Sequence, residues 1–305
     1  MPVDVNRPGP WTHRNLTARG TRFHAALAGP EAPTGAETVG PLTLLVHGFP
    51  ECWWTWRHVV PALAQAGHRV AALDLRGFGG SDRPPSGYDL VTLAQDLAAV
   101  VRSLGHERAV VVGAGLGGQV AWALPHVAPD LTTAIVPVGA PHPLALRSLR
   151  SRALSGPALQ YASLQIPGLA ERRLRSRSAL EGLLRSWAGP HTREAVAEEA
   201  PYYAELLSRP GAAHSALEPL RNLVLSRAET AALDEPVAVS VLSVQGELDP
   251  VQPAQAYARD THHVTGNLRQ ATIRRSGHFP QEEAPAELVR ALLPFLADVA
   301  PAASA

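Results

Sequence analysis

The 305-residue chain has no lysine; its 27 basic residues are all arginine. They balance 27 acidic residues to a formal charge of zero, so the basic excess of a nucleic-acid binder is missing. A single cysteine, Cys52, excludes an internal disulfide. No run approaches the roughly 18 uninterrupted apolar residues of a membrane span, so no membrane partner is expected. The opening MPVDVNRPGPW has no apolar stretch of signal-peptide length, and a cytoplasmic location is the expectation. Metal-ligand spacing of His and Cys is absent, as is a phosphate-binding loop; neither a metal nor a cofactor is expected.

What is present is a 46% hydrophobic composition, enough for a large core. Apolar runs of strand length, each closed by turn residues, read PLTLLVHGFP (41–50), HRVAALDLRGFGGSD (68–82), RAVVVGAG (108–115) and LTTAIVPVGAPHP (131–143). Helix-period segments at 56–66, 89–104 and 117–128 alternate with them. Near-continuous apolar strands alternating with helices predict a mostly parallel, doubly wound α/β sheet. The alternation stops over 144–225, which is rich in Arg, Ala, Leu and Ser at helical spacing. Strand signal returns at 236–246 and 268–277, and an amphipathic helix closes the chain at 284–300. The expected organisation is a core of residues 1–143 and 226–305 with a helical insertion at 144–225.

In open α/β sheets, sites form where loops leave the carboxyl ends of strands. His47-Gly48-Phe49-Pro50 leaves the first such strand, and a backbone amide there can face a developing oxyanion. In VVGAGLGG (111–118) the glycines suit a tight strand-to-helix turn, whose helix start offers free N–H groups. Asp249 in GELDP and His278 in SGHFPQEEAP follow the last two strands. An acid and then a histidine is the order of the second and third members of a hydrolase triad. In such a pair the acid fixes the imidazole tautomer and the other ring nitrogen moves a proton. The middle of the turn, where a nucleophile belongs, is Gly115. Either His278 acts directly as general base or acid in the room so opened, or the protein binds a ligand without turning it over. An ester hydrolase with a relocated nucleophile finds no Ser or Asp at the turn or after VGAPHP. His47 and His142 read as structural, and Cys52 as a buried thiol. Trp53, Trp54 and Trp56 are expected to pack the loop and line an apolar pocket, and the arginines of ERRLRSRS (171–178) to form a solvated helix face.

These motifs together resemble the α/β-hydrolase superfamily, and within it the epoxide hydrolase and haloalkane dehalogenase branch. HGFPECWWTWRH (47–58) is similar to the branch's oxyanion loop, DLRGFGGSDRP (74–84) to its following glycine-rich segment, and VGAPHP (138–143) to the stretch before its cap. QIPGLAERRL (165–174) resembles an early cap motif and GHFPQEEAP (277–285) the histidine loop. The resemblance runs from about residue 20 to 298. It implies the α/β-hydrolase fold with 144–225 as a cap, Asp249 and His278 as the charge-relay pair, and the amides of Phe49 and Leu116 as an oxyanion hole. It implies a small hydrophobic substrate and a monomer or homodimer. The family's turn usually reads GHDWGG with aspartate as nucleophile; here it reads GAGLGG, with Ala114, Gly115 and Leu116 replacing His, Asp and Trp. Loss of that tryptophan, which helps hold halide, argues against dehalogenation. Epoxide hydrolases also use two cap tyrosines. Counting back from Gln165 reaches Gln160, with Tyr161 one position off, and ALEPLR (216–221) holds no tyrosine; Tyr202 and Tyr203 match no family position. Glu51, Trp53, Ala114, Gln160 and Tyr161 are the expected pocket residues. The implied reaction is water addition to, or intramolecular ring opening of, an epoxide or similar electrophile; a lyase or isomerase and a ligand-binding pseudo-hydrolase are the alternatives.

Overall fold

A computed structural model describes residues 4–31, 41–146, 162–222 and 225–300. Eight strands form one sheet in the order β1-β2-β4-β3-β5-β6-β7-β8. They are β1 (Thr12–Ala18), β2 (Thr21–Ala28), β3 (Leu42–Val46), β4 (Val70–Leu73), β5 (Ala109–Ala114), β6 (Thr132–Val138), β7 (Ser240–Gly246) and β8 (Leu268–Ile273). From β4 to β8 every neighbouring pair is parallel, as the uninterrupted apolar runs predict. LTLLV, VAAL and AVVVGA are buried at every position, because helices cover both faces of the sheet.

The first two strands are a correction to the sequence reading. β1 and β2 pair antiparallel, and β2 joins β4 antiparallel, widening the sheet by a hairpin. The connection is Arg19-Gly20, both at positive φ (50° and 73°), the geometry of a tight two-residue hairpin turn. Other strands are shorter than their apolar runs. The run 68–82 is strand only over Val70–Leu73, since Asp74 onward turns through Gly77 and Gly79 at positive φ.

Helices α1 (Val60–Gln65), α2 (Leu90–Ser103) and α3 (Leu116–Val127), with the terminal helix Pro285–Val299, pack on the sheet. Asp89 caps α2 by accepting the Thr92 amide, and the helix buries Leu90, Leu93, Ala94, Leu97, Val100 and Val101 along one stripe. Asp96 on the same helix takes both ends of the Arg76 guanidinium, pinning the glycine-rich loop after β4. On the other side of that loop Asp74 accepts from His24, the Trp53 amide and the Gly80 amide. His24 in turn meets His13, which reaches the Arg7 carbonyl.

Between β6 and β7 the described chain is helical: Leu169–Arg175, Arg177–Trp187, Arg193–Ala197, Ala200–Leu207, Ala212–Arg221 and Arg227–Asp234. Ser176 caps the second of these, which turns Leu180, Leu183, Leu184 and Trp187 inward. Arg172, Arg173, Arg175 and Arg177 are exposed, as a solvated face requires. Among the described residues no helix is long and apolar enough to cross a membrane.

Candidate active site

β5 ends at Ala114 and the chain turns at Gly115 (φ 47°, ψ −111°) into α3. That conformation is strained for any residue with a side chain. The turn is also tight: a β-carbon at Gly117 would sit 2.4 Å from the Val46 carbonyl oxygen, and one at Gly118 2.4 Å from Ala140 Cβ. At Gly115 alone in this turn is there room. A β-carbon there would lie 3.4 Å from His278 Nε2 and 3.7 Å from Gly48 Cα, both ordinary contacts. Gly115 is partly exposed while its neighbours from Ala109 to Pro125 are buried, so the turn opens at that residue.

The loop after β3 is braced by His47. Its Nε2 accepts the Leu75 amide (3.1 Å), which leaves the proton on Nδ1 to donate to the Gly48 carbonyl (2.7 Å). Burial depresses its pKa, so it serves as a neutral strut. This agrees with its structural reading. Among the described residues the backbone N–H groups of Phe49 and Leu116 have no hydrogen-bond partner. One follows Gly48 and the other Gly115, and Gly48 Cα lies 3.7 Å from the position of a Gly115 β-carbon.

His278 and Asp249 come together as the sequence order suggests. Nδ1 of His278 is 3.0 Å from Asp249 Oδ2, and Asp249 Oδ1 accepts the amides of Val251 (2.7 Å) and Gln252 (3.1 Å). The contact between Asp249 Oδ2 and Nδ1 fixes the His278 tautomer with its proton on Nδ1. Nε2 is left facing Gly115. Burial lowers the His278 pKa, but the charge and hydrogen bond of Asp249, with Glu51 and Glu283 farther off, outweigh it and raise the net value. The ring is 7% exposed and meets Trp187 edge-on at 5.5 Å, while the His278 amide donates to the Trp187 carbonyl (2.9 Å). Glu283 fastens the same junction. It accepts from the amides of Gly189, Gly277 and Phe279 and from the Thr192 hydroxyl, all between 2.6 and 2.9 Å. Trp187, Gln281, Glu282 and Glu283 were not singled out from the sequence. The last three lie inside the quoted GHFPQEEAP motif, so proximity to His278 was the available signal.

Glu51 lies 2% exposed beneath this site. Its Oε1 accepts from the Thr55 hydroxyl (2.6 Å) and the Gln281 amide (3.2 Å). Burial and then the neighbouring Glu282 lift its pKa to about 8, so it carries a proton at neutral pH. Ala114 is buried and offers only its carbonyl, 3.1 Å from where a β-carbon at Gly48 would stand. Trp53 departs from its expected pocket role. It is fully buried, edge-on to Trp11, His13 and Trp54, with its indole N–H on the Val5 carbonyl; an indole so enclosed packs the N-terminal segment. Gln160 and Tyr161 lie outside the described residues. Tyr203 donates to Glu282, and Tyr202 stacks under the Arg7 guanidinium. His142 is buried and stacked on His263 at 3.7 Å, in keeping with a structural role. The Cys52 thiol is buried and its pKa is pushed up by that burial, opposite to what a nucleophile needs. A cavity of about 330 Å³ between α2, α3 and the helix Arg227–Asp234 is bordered by neither Asp249 nor His278, so volume does not locate the chemistry. Among the described residues no three His, Cys, Asp or Glu side chains are grouped to hold a metal.

Residues 41–285 match the family model described as the alpha/beta hydrolase fold. The chain belongs to that family. It is 31% identical over 322 residues to epoxide hydrolase A of Mycobacterium tuberculosis, spanning 93% of this chain and 97% of that protein. It is 44% identical to epoxide hydrolase B of the same organism over 131 residues, which span 42% of this chain and only 35% of that protein. The solved structure of an epoxide hydrolase from an endophytic Streptomyces superposes with a TM-score of 0.78 at 29% identity, covering 95% of this chain and 96% of that one. The fold is therefore the α/β-hydrolase fold, with its mostly parallel eight-stranded sheet, in an epoxide-hydrolase-like member of the family.

Proposed function

We propose that this protein is an enzyme that opens an epoxide or similar electrophile without a covalent enzyme ester, with Gly115 in the nucleophile's place and His278 moving the proton. The observation that carries the reading is the unpartnered His278 Nε2, 3.4 Å from the point where a Gly115 side chain would begin. Neutral His278 takes a proton from water as the water oxygen bonds to a ring carbon. The ring C–O bond breaks, and its electron pair stays on the departing oxygen, which the amides of Phe49 and Leu116 hold. The imidazolium, steadied by Asp249, then returns the proton to that oxygen. The sum is water addition; if a hydroxyl of the same substrate attacks, the sum is cyclisation. General acid–base help of this kind supplies about 10²–10⁴-fold, and a single oxyanion donor about 10²–10³-fold. Phe49 and Trp187, with ring centroids 6.3 Å apart, favour a small hydrophobic substrate. In this reading residues 144–225 form a cap over a core of 1–143 and 226–305.

Turnover of an epoxide panel in ¹⁸O-water by wild type and His278→Ala tests this. The expected diol carries solvent oxygen from the first turnover, because no enzyme carboxylate donates one, and the mutant is inactive. Diol formation by His278→Ala at the wild-type rate would refute the assignment. A panel that neither protein turns over would favour a binding protein.

A further inference from the structure

We propose that the opening beside Gly115 is a binding site for the carboxylate group of a ligand, so that the ligand brings to the turn the acid that the chain itself lacks. The inference rests on the reading above in one respect, that His278 Nε2 faces the bound molecule.

Two backbone N–H groups and, once the imidazole is protonated, the Nε2–H of His278 can serve an anion at this opening. The Leu116 N–H begins the 12-residue helix α3, where the partial positive charge of the helix end favours an anion. The Phe49 N–H adjoins Gly48, whose Cα stands 3.7 Å from the vacant β-carbon position. The third donor is independent of any helix: His278, more than nine-tenths buried at 7% exposure, aims an unpartnered Nε2 at the same point from 3.4 Å. The nitrogen has no hydrogen-bond partner among the described residues, so it is free to bond to a ligand atom at that point.

The surrounding charges suit one negative group. Both Asp249 oxygens are already occupied, one by His278 and the other by the Val251 and Gln252 amides. Glu51 carries its proton at neutral pH, so it does not repel an anion. The other acid that acts on His278, Glu283, is spent on three backbone amides and a hydroxyl. The flanking Phe49 and Trp187 rings disfavour a strongly hydrated dianion such as phosphate, whose desolvation cost exceeds that of a monoanion. A monocarboxylate with an apolar tail fits best.

The test is a titration of acetate, then isobutyrate, against chloride at matched ionic strength, followed through the imidazole ¹⁵N signals of His278, which a His278→Gln spectrum assigns. Saturable shifts are expected, with isobutyrate binding more tightly than acetate and weakening as pH rises and His278 loses its proton. In Gly115→Asp the protein's own carboxylate fills the site, and affinity should fall roughly tenfold or more. If that variant does not fold, Gly115→Ala places a methyl at the same point and should weaken binding in the same direction. Equal shifts with chloride, no saturation with either carboxylate, or undiminished affinity in a folded Gly115 variant would each overturn the proposal. None of these would touch His278-dependent turnover of a neutral epoxide. Conversely, an inactive protein that still binds isobutyrate at this site keeps the carboxylate site and loses the hydrolase.

Discussion

Two buried acid–histidine pairs stand out among the described residues, and they differ in one respect. At Asp74, both ring nitrogens of His24 are engaged: Nδ1 by the acid at 2.8 Å and Nε2 by His13 at 3.0 Å, while His13 passes its remaining nitrogen to the Arg7 carbonyl. Every ring nitrogen in that chain is bonded, and His24 is 2% exposed. At Asp249, His278 has the same tie through Nδ1, but Nε2 faces an opening. The pairing of acid and imidazole is therefore not what makes a site. In the mechanism proposed above the free nitrogen is, together with the amides of Phe49 and Leu116. The Asp74 chain fastens the N-terminal segment and the hairpin to the sheet.

The contrast predicts opposite phenotypes. The largest expected effect is on chemistry: His278→Ala should lower epoxide turnover per folded molecule by about 10²–10⁴-fold. An equal loss from His24→Ala in folded protein would erase the distinction. His24→Ala should instead strand the buried Asp74 carboxylate and cost about 3 kcal/mol of stability in urea unfolding, with turnover per folded molecule unchanged. Next comes the pH dependence set by Glu51. Its folded pKa of about 8 exceeds its ordinary 4.5, so the folded state binds the extra proton between them. Stability should then fall as pH rises across that window, by an amount of order a few kcal/mol, and His278, also raised, adds to the same slope. Glu51→Gln should flatten the slope; an unaltered pH profile of the unfolding midpoint would show that Glu51 is not the titrating group. The smallest effect is at the turn. Gly115→Ala should cost about 1–2 kcal/mol because its φ of 47° is left-handed, and an unchanged unfolding free energy would mean the turn relaxes around a side chain.

Much of the sheet and the dyad was legible because each critical residue sits in a turn next to a strand, where glycine, proline and charge punctuate apolar runs. HGFPE, GAGLGG, GELDP and GHFP announce themselves in this way. The β1–β2 hairpin was not read, although Arg19-Gly20 between two short runs is the signal for it; its strands alternate weakly and carry Arg14, Asn15 and Arg22 outward. Trp53 was misjudged because an indole beside an oxyanion loop looks like a pocket wall, and only the docking of Val5 and Trp11 shows that it is enclosed. The junction of Trp187 with His278 links residues 91 positions apart and depends on how a helix packs, which periodicity does not encode. The raised pKa of Glu51 is likewise a product of burial and then of the neighbouring Glu282, not of its own motif, and the Gln281 hydrogen bond works against it.

Glu283 deserves a mechanical reading. One carboxylate holds the end of the Arg177–Trp187 helix, through Gly189 and Thr192, and the histidine loop, through Gly277 and Phe279. Four hydrogen bonds to one side chain thus span the two elements, each worth about 0.5–1.5 kcal/mol. The segment after the helix that carries Trp187 and the loop that carries His278 therefore share a common fastening point, and removing Glu283 would release both at once.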